Sequence, residues 1–519
     1  MKKKLCIIVL VISLITAACG CSKKADPVET GNLTMPGTEE DNGSATEDNE
    51  DESNDDSDAG ISENVVPPTM EEYLALREAV RNGEDIEIPK RLDLRDYGMV
   101  TSGKDQGNFM NCWVFGAMGA LESNALVSGF GEYDFSEYQL GILSETVPAK
   151  QDESIDGEGY ICDDCVWYDN PGMSIYTVNT FMKGYAPALE EDHPYRNVKK
   201  ELPEDAIDDA AFKVDNCFMV TPATPELIKK LIIENGAVTI GANSDAWNYG
   251  GVAFCSNDRY IEHYVTVVGW DDTYETKHFS SRPAADGAWI IKNSWGTGWG
   301  AGGYLYLSYY DAVMNDTNVT ISYTLTSKDS YDYQYQYDGS ACLGTVKDLT
   351  DVAISFTAKG DETMTGVKIF PRLKDGEFIP VNATVKVYKN IDSVDKTSNA
   401  TPIYSMDTRI VYAGYQTIEF NEGVNINKND KIFVTVTFDE PIYYADDYSL
   451  NGKAFGMYKE TLRYHTVAHA NPGETFLKLA DDDSWQDRAI VKETSSMCIK
   501  VMVRNGHNKE VILRKSLLK

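Results

Sequence analysis

DQGNFMNCWVFGAMGALES, residues 105–123, decides how the rest of this chain is read. After Cys112, Val114, Phe115, Met118, Leu121, Ala125 and Leu126 recur at three- and four-residue spacing, which predicts a helix with one buried face. Cys112 then stands at the helix N-terminus. The macrodipole favours an anion there, so the thiolate, the nucleophilic form of the side chain, is stabilised. Taken alone, a cysteine before a tryptophan is more simply a buried structural residue.

Two distant segments change that reading. In YIEHYVTVVGWDD, residues 260–272, His263 precedes the apolar run 264–270, which reads as a buried strand. In GAWIIKNSWGTGWGAGGYLYLSYY, residues 287–310, Asn293, Ser294, Trp295 and Gly296 lie between two strand-like runs. Gln106 lies six residues before Cys112, and Trp113 follows it. Gln106, Cys112, His263 and Asn293, carried in this order on three segments, resemble papain-like cysteine peptidases, whose local signature and distant His and Asn form a known pattern. The resemblance spans about residues 90–325. Separations of 151 residues from Cys112 to His263 and 181 to Asn293 exceed the usual span of about 130–150, mostly through a polar insertion at 271–288.

The resemblance implies the following roles. Cys112 is the nucleophile, and His263 takes its proton and later returns it to the leaving amine. Asn293 accepts the other imidazole N–H and fixes the ring, while Trp295 shields that bond. The Gln106 amide and the Cys112 backbone N–H meet the oxyanion. Gly172, in the sequence Asn170-Pro171-Gly172-Met173 ahead of a helical run, pairs its backbone with substrate on the cleft wall. Tyr264 follows the histidine where the family usually has Ala or Gly, which predicts a narrowed or polar-rimmed pocket for the substrate's second residue. Phe109 stands where the family has a disulfide cysteine, and Met110 where it has glycine, so a staple is lost and the catalytic turn is crowded. Ser136-Glu137-Tyr138-Gln139 predicts a capping box, Thr224-Pro225-Glu226 a helix start, and His193-Pro194-Tyr195 a family turn without a catalytic role.

The N-terminus carries Lys2, Lys3 and Lys4, an apolar run 5–18 and then two cysteines among small residues. That is a signal-peptide plan, too short for the roughly 20 apolar residues of a membrane span. It resembles a bacterial lipoprotein signal, with Cys19 the expected lipidation site and Cys21 the alternative. Residues 25–65 hold fourteen acidic and no basic residues, and read as a disordered tether. The whole chain carries 82 acidic against 47 basic residues, net −35, which makes nucleic acid an unexpected partner.

From about residue 327 the pattern changes to short alternating runs. Ile432, Val434, Val436 and Phe438 alternate with Phe433, Thr435 and Thr437, and runs 384–388, 415–420 and 498–503 behave alike, with turn residues between them. This half resembles the lectin-like β domain that follows papain-type domains in some clostridial secreted proteins, which implies a glycan or surface partner. Six cysteines remain after the signal and Cys112, and Cys342 with Cys498 would staple this domain. Cys162 and Cys165 supply at most half a zinc site, so no metal and no cofactor are expected.

The expected fold is therefore α+β: a papain-like two-lobed domain with a helical lobe and a β-barrel-like lobe, followed by an all-β sandwich. The expected divisions are a signal at 1–21, a tether at 22–66, the peptidase domain at 67–326, the lectin-like domain at 327–505 and a tail at 506–519. The functional reading is a cysteine endopeptidase on the bacterial cell surface, lipid-anchored to the membrane and acting on proteins or peptides. A non-catalytic adhesin on a relic peptidase fold is the alternative.

Overall fold

The computed structural model describes residues 65–507, apart from 146–154, 156–157, 163–167, 169–171, 198–200, 202, 222, 246, 248–250, 315–317, 340–342, 375–378 and 450–463. The signal, Cys19, Cys21, nearly all of the tether, most of the tail, Cys165 and Cys342 lie outside the described residues.

The first half runs α1 (Met70–Arg81), β1 (Arg91–Asp93), α2 (Cys112–Val127), α3 (Glu137–Glu145), β2 (Gly159–Cys162), α4 (Ser174–Met182), β3 (Phe212–Val220), α5 (Pro225–Asn235), β4 (Val238–Ala242), β5 (Ala253–Phe254), β6 (His263–Asp271), β7 (Ala288–Lys292), β8 (Tyr304–Ser308) and β9 (Thr320–Ser327). The second runs β10 (Tyr333–Tyr335), β11 (Leu343–Thr357), β12 (Glu362–Ile369), β13 (Pro371–Arg372), β14 (Val381–Lys389), β15 (Tyr404–Ile410), β16 (Gly414–Ile426), β17 (Lys431–Asp447), β18 (Tyr464–Val467), β19 (Thr475–Leu479), β20 (Asp482–Asp487), α6 (Arg488–Val491), β21 (Ser496–Met497) and β22 (Ile499–Asn505).

Helix α2 differs from the amphipathic expectation. Every one of its residues except Leu126 is buried. It is wedged between the helical lobe and β4 and β6, so its polar residues must find internal partners. They do: Thr101 Oγ1 donates to Glu122 Oε2 at 2.5 Å, Ser123 Oγ to the Met99 carbonyl at 2.8 Å, and Asn124 Nδ2 to the Asn235 carbonyl at 2.8 Å. Gly116 and Gly119 permit the close approach to the sheet, since a Cβ on Gly119 would meet Thr266 Oγ1 at 2.7 Å.

At the start of α3, Ser136 Oγ accepts from the Gln139 N–H at 3.0 Å, but the expected capping box is not reciprocal. The Gln139 side chain instead donates to the Ala206 and Asp209 carbonyls and accepts from the Ala188 N–H. Helix α5 matches expectation, with Thr224 accepting from the Leu227 N–H, Pro225 at the first position and Gly236 at φ +88° closing it.

The peptidase and lectin-like domains, expected as separate units, share one sheet. Its order is β10-β22-β12-β16-β3-β9-β4-β6-β7-β8-β5, with β1 on β6, so the second half enters the first where Gly414 and Tyr415 pair with Phe218 and Cys217. Gly414, at φ +105°, allows this, because a Cβ there would stand 2.3 Å from the Met219 nitrogen. The facing sheet, β15-β14-β17-β11-β19-β20 with β13 and β21 on β17, completes the sandwich. Ile432, Val434, Val436 and Phe438 enter the main core, whereas Phe433 joins Ala353, Tyr388, Val394 and Phe476 in a smaller cluster on the opposite face. Both faces of β17 are therefore covered over residues 432–436. Cys498 is a fully buried thiol, and Cys342, its expected partner, lies outside the described residues.

Strand β18 of the second half pairs antiparallel with β2 of the first, Val467 opposite Gly159 and Tyr464 opposite Cys162. Glu158, just before β2, accepts from the His469 N–H at 2.7 Å and the Gly339 N–H at 2.8 Å. Gln334 and Gln336 donate to the carbonyls of Met182, the last residue of α4, and of Lys183, which caps it. Burial, reinforced by Asp447 and Asp338, pushes the Glu158 carboxyl up from an ordinary 4.5 to about 8 against the two backbone donors; Lys183 close by is held down to about 8 by its own burial. The folded chain thus keeps a proton that the unfolded chain sheds between about pH 4.5 and 8, so stability falls as pH rises through that window. Glu137, raised to about 8, and Glu190 and Glu262, raised to about 7, act with the same sign. Thermal unfolding of the full chain is expected to shift down between pH 5 and 8, and by less in Glu158→Gln. An equal shift in both would remove Glu158 from the explanation.

Residues 66–90 pack far from His263. Arg77 Nε donates to the Glu234 carbonyl of α5 at 2.8 Å, Tyr73 stacks on Tyr97, and Trp270 Nε1 donates to the Pro89 carbonyl at 2.9 Å. Strand β1 pairs with Gly269–Asp271, the end of β6 opposite His263, a separation of roughly 25 Å at about 3.4 Å per residue.

Candidate active site

Cys112 opens α2 and His263 opens β6, and both are fully buried. The helix and strand run in register: Gly116 lies against Val265, and Gly119 against Thr266. Thr239 and Thr266 both donate to the Gly116 carbonyl, at 2.9 and 3.1 Å, and lock that register. Cys112, one turn before Gly116, therefore stands level with His263.

His263 Nε2 is 2.8 Å from Asn293 Oδ1, which also accepts from the Ser294 N–H at 2.8 Å. With the amide oxygen as acceptor, Nε2 carries the hydrogen and Nδ1 is the remaining ring nitrogen. Asn293 is placed by the end of β7 and by its N–H, which donates to the Gly303 carbonyl at 2.9 Å. Trp295 lies over the imidazole at 5.0 Å between ring centres, tilted 33°, and Trp247 meets it edge-on at 5.7 Å. Trp299 packs behind both indoles. Trp247 has no regular spacing to the other site residues, so nothing in the sequence pattern pointed to it. Glu262, next to His263, accepts from the Ser244 N–H, and burial raises its carboxyl to about 7.

Gln106 is 2% exposed and tied to the asparagine segment three ways. Its backbone N–H donates to the Ser294 carbonyl at 2.8 Å, its Oε1 accepts from Ser294 Oγ at 2.6 Å, and the neighbouring Asp105 bridges to Trp295. Its Nε2 donates to the Phe109 carbonyl at 2.7 Å. One amide hydrogen bond thus closes the turn leading to Cys112, and Nε2 has a second hydrogen. The lost disulfide is replaced by aromatic packing: Phe109 meets Tyr168 at 5.6 Å and Tyr195 at 6.2 Å, both edge-on.

Gly172 is buried against the indole of Trp113, where a Cβ would come within 2.2 Å of Cε2, so only glycine fits without moving the residue beside the thiol. Trp113 is held from the other side by Tyr176 of α4 at 5.8 Å. Tyr264 is 5% exposed and part of the main core, facing Gly241 in the ladder. His263, Asn293, Gln106 and Trp295 are thus joined by direct contacts, Cys112 heads the helix whose Gly116 lies against Val265 of β6, Gly172 packs on Trp113 beside it, and Tyr264 follows His263 in β6.

Beneath the site lies a charge cluster with no sequence signature. Lys104 Nζ is 2.7 Å from Glu122, 2.8 Å from Glu137 and 2.5 Å from Asp134, and Lys292 donates to Thr101 at 2.8 Å. It links the Gln106 loop, α2 and the strand before Asn293. Among the described residues no group of three or more His, Cys, Asp or Glu side chains is placed to hold a metal.

Residues 88–325 match the family described as papain family cysteine protease, and residues 333–503 match the lectin-like domain. Cysteine proteinase 1 of Entamoeba histolytica is 28% identical over 260 residues, covering 46% of this chain and 71% of that protein. Procathepsin L of Felis catus is 31% identical over 240 residues, covering 43% and 61%. A viral cathepsin of Heliothis zea nuclear polyhedrosis virus is matched over 54% of its length. The chain thus spans between about half and seven tenths of these relatives. The crystal structure of the cysteine protease and lectin-like domains of Cwp84, described as a surface layer associated protein of Clostridium difficile, superposes with a TM-score of 0.65. It is 21% identical and covers 85% of this chain and 98% of that one, a likeness of fold.

Proposed function

Because residues 88–325 belong to the papain family of cysteine proteases and residues 333–503 form a lectin-like domain, we propose that this chain is a surface-anchored cysteine endopeptidase whose second domain binds a glycan or another surface component. The observation that carries the peptidase reading is the 2.8 Å bond from His263 Nε2 to Asn293, joined through Ser294 to Gln106. It engages Nε2 and leaves Nδ1 as the ring nitrogen for the Cys112 proton.

In the reaction, His263 accepts the Cys112 proton at Nδ1 and the sulfur attacks the substrate carbonyl. The oxyanion is held by the Cys112 N–H and the second hydrogen of Gln106 Nε2. As the C–N bond breaks, imidazolium protonates the leaving amine, giving a thioester that water, activated by His263, hydrolyses. Gly172 offers backbone to the substrate, and Trp295 keeps water from the His263–Asn293 bond. Tyr264 fills space beside the histidine, which favours small second-residue side chains. Surface location is supported by the lipoprotein-like N-terminus with Cys19 and by the surface-layer description of Cwp84.

The test is cleavage of a fluorogenic peptide series under reducing conditions. Cleavage that favours small second residues and vanishes in Cys112→Ala is expected. No cleavage by the wild type, with attachment to cell surfaces retained, would instead support the adhesin reading.

A further inference from the structure

Tyr195 lies in a turn with no expected part in catalysis, yet its hydroxyl reaches the nucleophile loop. It stands 3.2 Å from the Gln106 carbonyl and 3.3 Å from Asn111 Oδ1, one proton shared between two acceptors. These residues are the immediate neighbours of the loop 107–110, with Gln106 at one end and Asn111, the residue before Cys112, at the other. The ring is gripped edge-on by Phe115 of α2 at 4.9 Å and by Phe109 at 6.2 Å. Its backbone N–H donates to Glu190 at 2.8 Å, and Ser136 Oγ donates to the preceding His193 carbonyl at 2.6 Å, so the turn is fixed to the helical lobe. Burial, with nearby acidic groups, keeps the phenol protonated and a donor throughout the working range.

The loop needs such a tie. Gly107 takes φ +63°, and Phe109 supplies packing but no covalent link. The distance between the two oxyanion donors, Gln106 Nε2 and the Cys112 N–H, is set by the path of residues 106–112, and a donor must stand within a few tenths of an ångström of its place to act.

We propose that Tyr195 is a positioning residue for the oxyanion site, its hydroxyl fixing Gln106 relative to the start of α2; this rests on the peptidase reading above. It touches no substrate. Its contribution belongs to steps that develop negative charge on the carbonyl oxygen, and not to the nucleophilicity of Cys112.

Tyr195→Phe in the full chain keeps the ring packing and removes only the hydroxyl. Expected is a fall in kcat of about tenfold with KM within about twofold, less than the roughly 10²–10³ lost when a donor is removed outright. Alkylation of Cys112 by iodoacetamide, which forms no oxyanion, keeps its wild-type rate. In a Gln106→Ala background the tyrosine substitution adds little, because the donor it positions is gone. Unchanged kcat, a parallel fall in alkylation, or full additivity with Gln106→Ala overturns the inference while leaving the peptidase reading intact. A wild-type chain that neither cleaves peptides nor alkylates at Cys112 overturns both.

Discussion

His263→Ala is expected to lower kcat/KM for peptide cleavage by about 10⁴–10⁶-fold, the range seen when a general base acting as a unit with its nucleophile is removed. The side chain is fully buried at the start of β6, and its ring is enclosed by Trp247, Trp295 and Asn293. No other imidazole can substitute, because among the described residues the site presents one histidine. Asn293→Ala should cost far less, roughly 10–100-fold, since it removes the partner that orients the ring and leaves the ring itself. Steady-state kinetics on one fluorogenic peptide separate the two. A His263→Ala loss below tenfold, or an Asn293→Ala loss as large as that of the histidine, would show that proton transfer runs through another group.

The second large effect is on stability. Lys104→Met removes the cation from among Glu122, Glu137 and Asp134, two of which are essentially fully buried. Breaking a buried pair by deleting one partner costs about 3–5 kcal/mol, because the remaining charge is left unpaired. Burial already pushes Glu137 up to about 8, even against the pull of Lys104. Without the lysine, Glu137 is pushed further toward its protonated form, so the loss should shrink at low pH. Denaturant unfolding at pH 5 and 7.5 checks this. Because Lys104 lies two residues before Gln106 and Lys292 one before Asn293, activity should fall along with stability. Lys104→Arg, which keeps the charge, should retain most of both. Equal stability of Lys104→Met and the wild type would mean that the cluster is solvated and contributes little.

The site was legible where its chemistry lies in short segments. Gln106 and Cys112 stand within seven residues of each other, and His263 and Asn293 each open or follow a strand whose apolar run is plain in the sequence. The surroundings were harder to read. Helix α2 was expected to show one polar face, but Glu122, Ser123 and Asn124 are buried and bonded, and burial by two flanking layers leaves no periodic trace. Tyr195 reaches the nucleophile loop across 84 residues of sequence, and Lys104 meets Glu122 and Glu137 through the fold; such pairings have no fixed spacing. The alternating strands of the second half announced a sandwich, and β11–β17 form one. That β16 would join β3 in a single sheet, or β18 pair with β2, depends on edge strands from separate segments meeting, which the composition of each strand alone does not encode. The Cys342–Cys498 pairing rests on a count of cysteines, which carries no geometry, and Cys342 lies outside the described residues.

The most direct measurement is covalent labelling of the folded chain by a peptidyl epoxide, with the modified residue located by mass spectrometry. Among the described residues, the thiols of Cys217, Cys255 and Cys498 act as internal controls, since burial pushes each above the ordinary thiol range. Stoichiometric modification of Cys112 alone, abolished by denaturation and sharply slowed in His263→Ala, is the predicted result. A chain in which Cys112 stays unmodified, or reacts no faster than the three buried thiols, would contradict an activated sulfur at the head of α2.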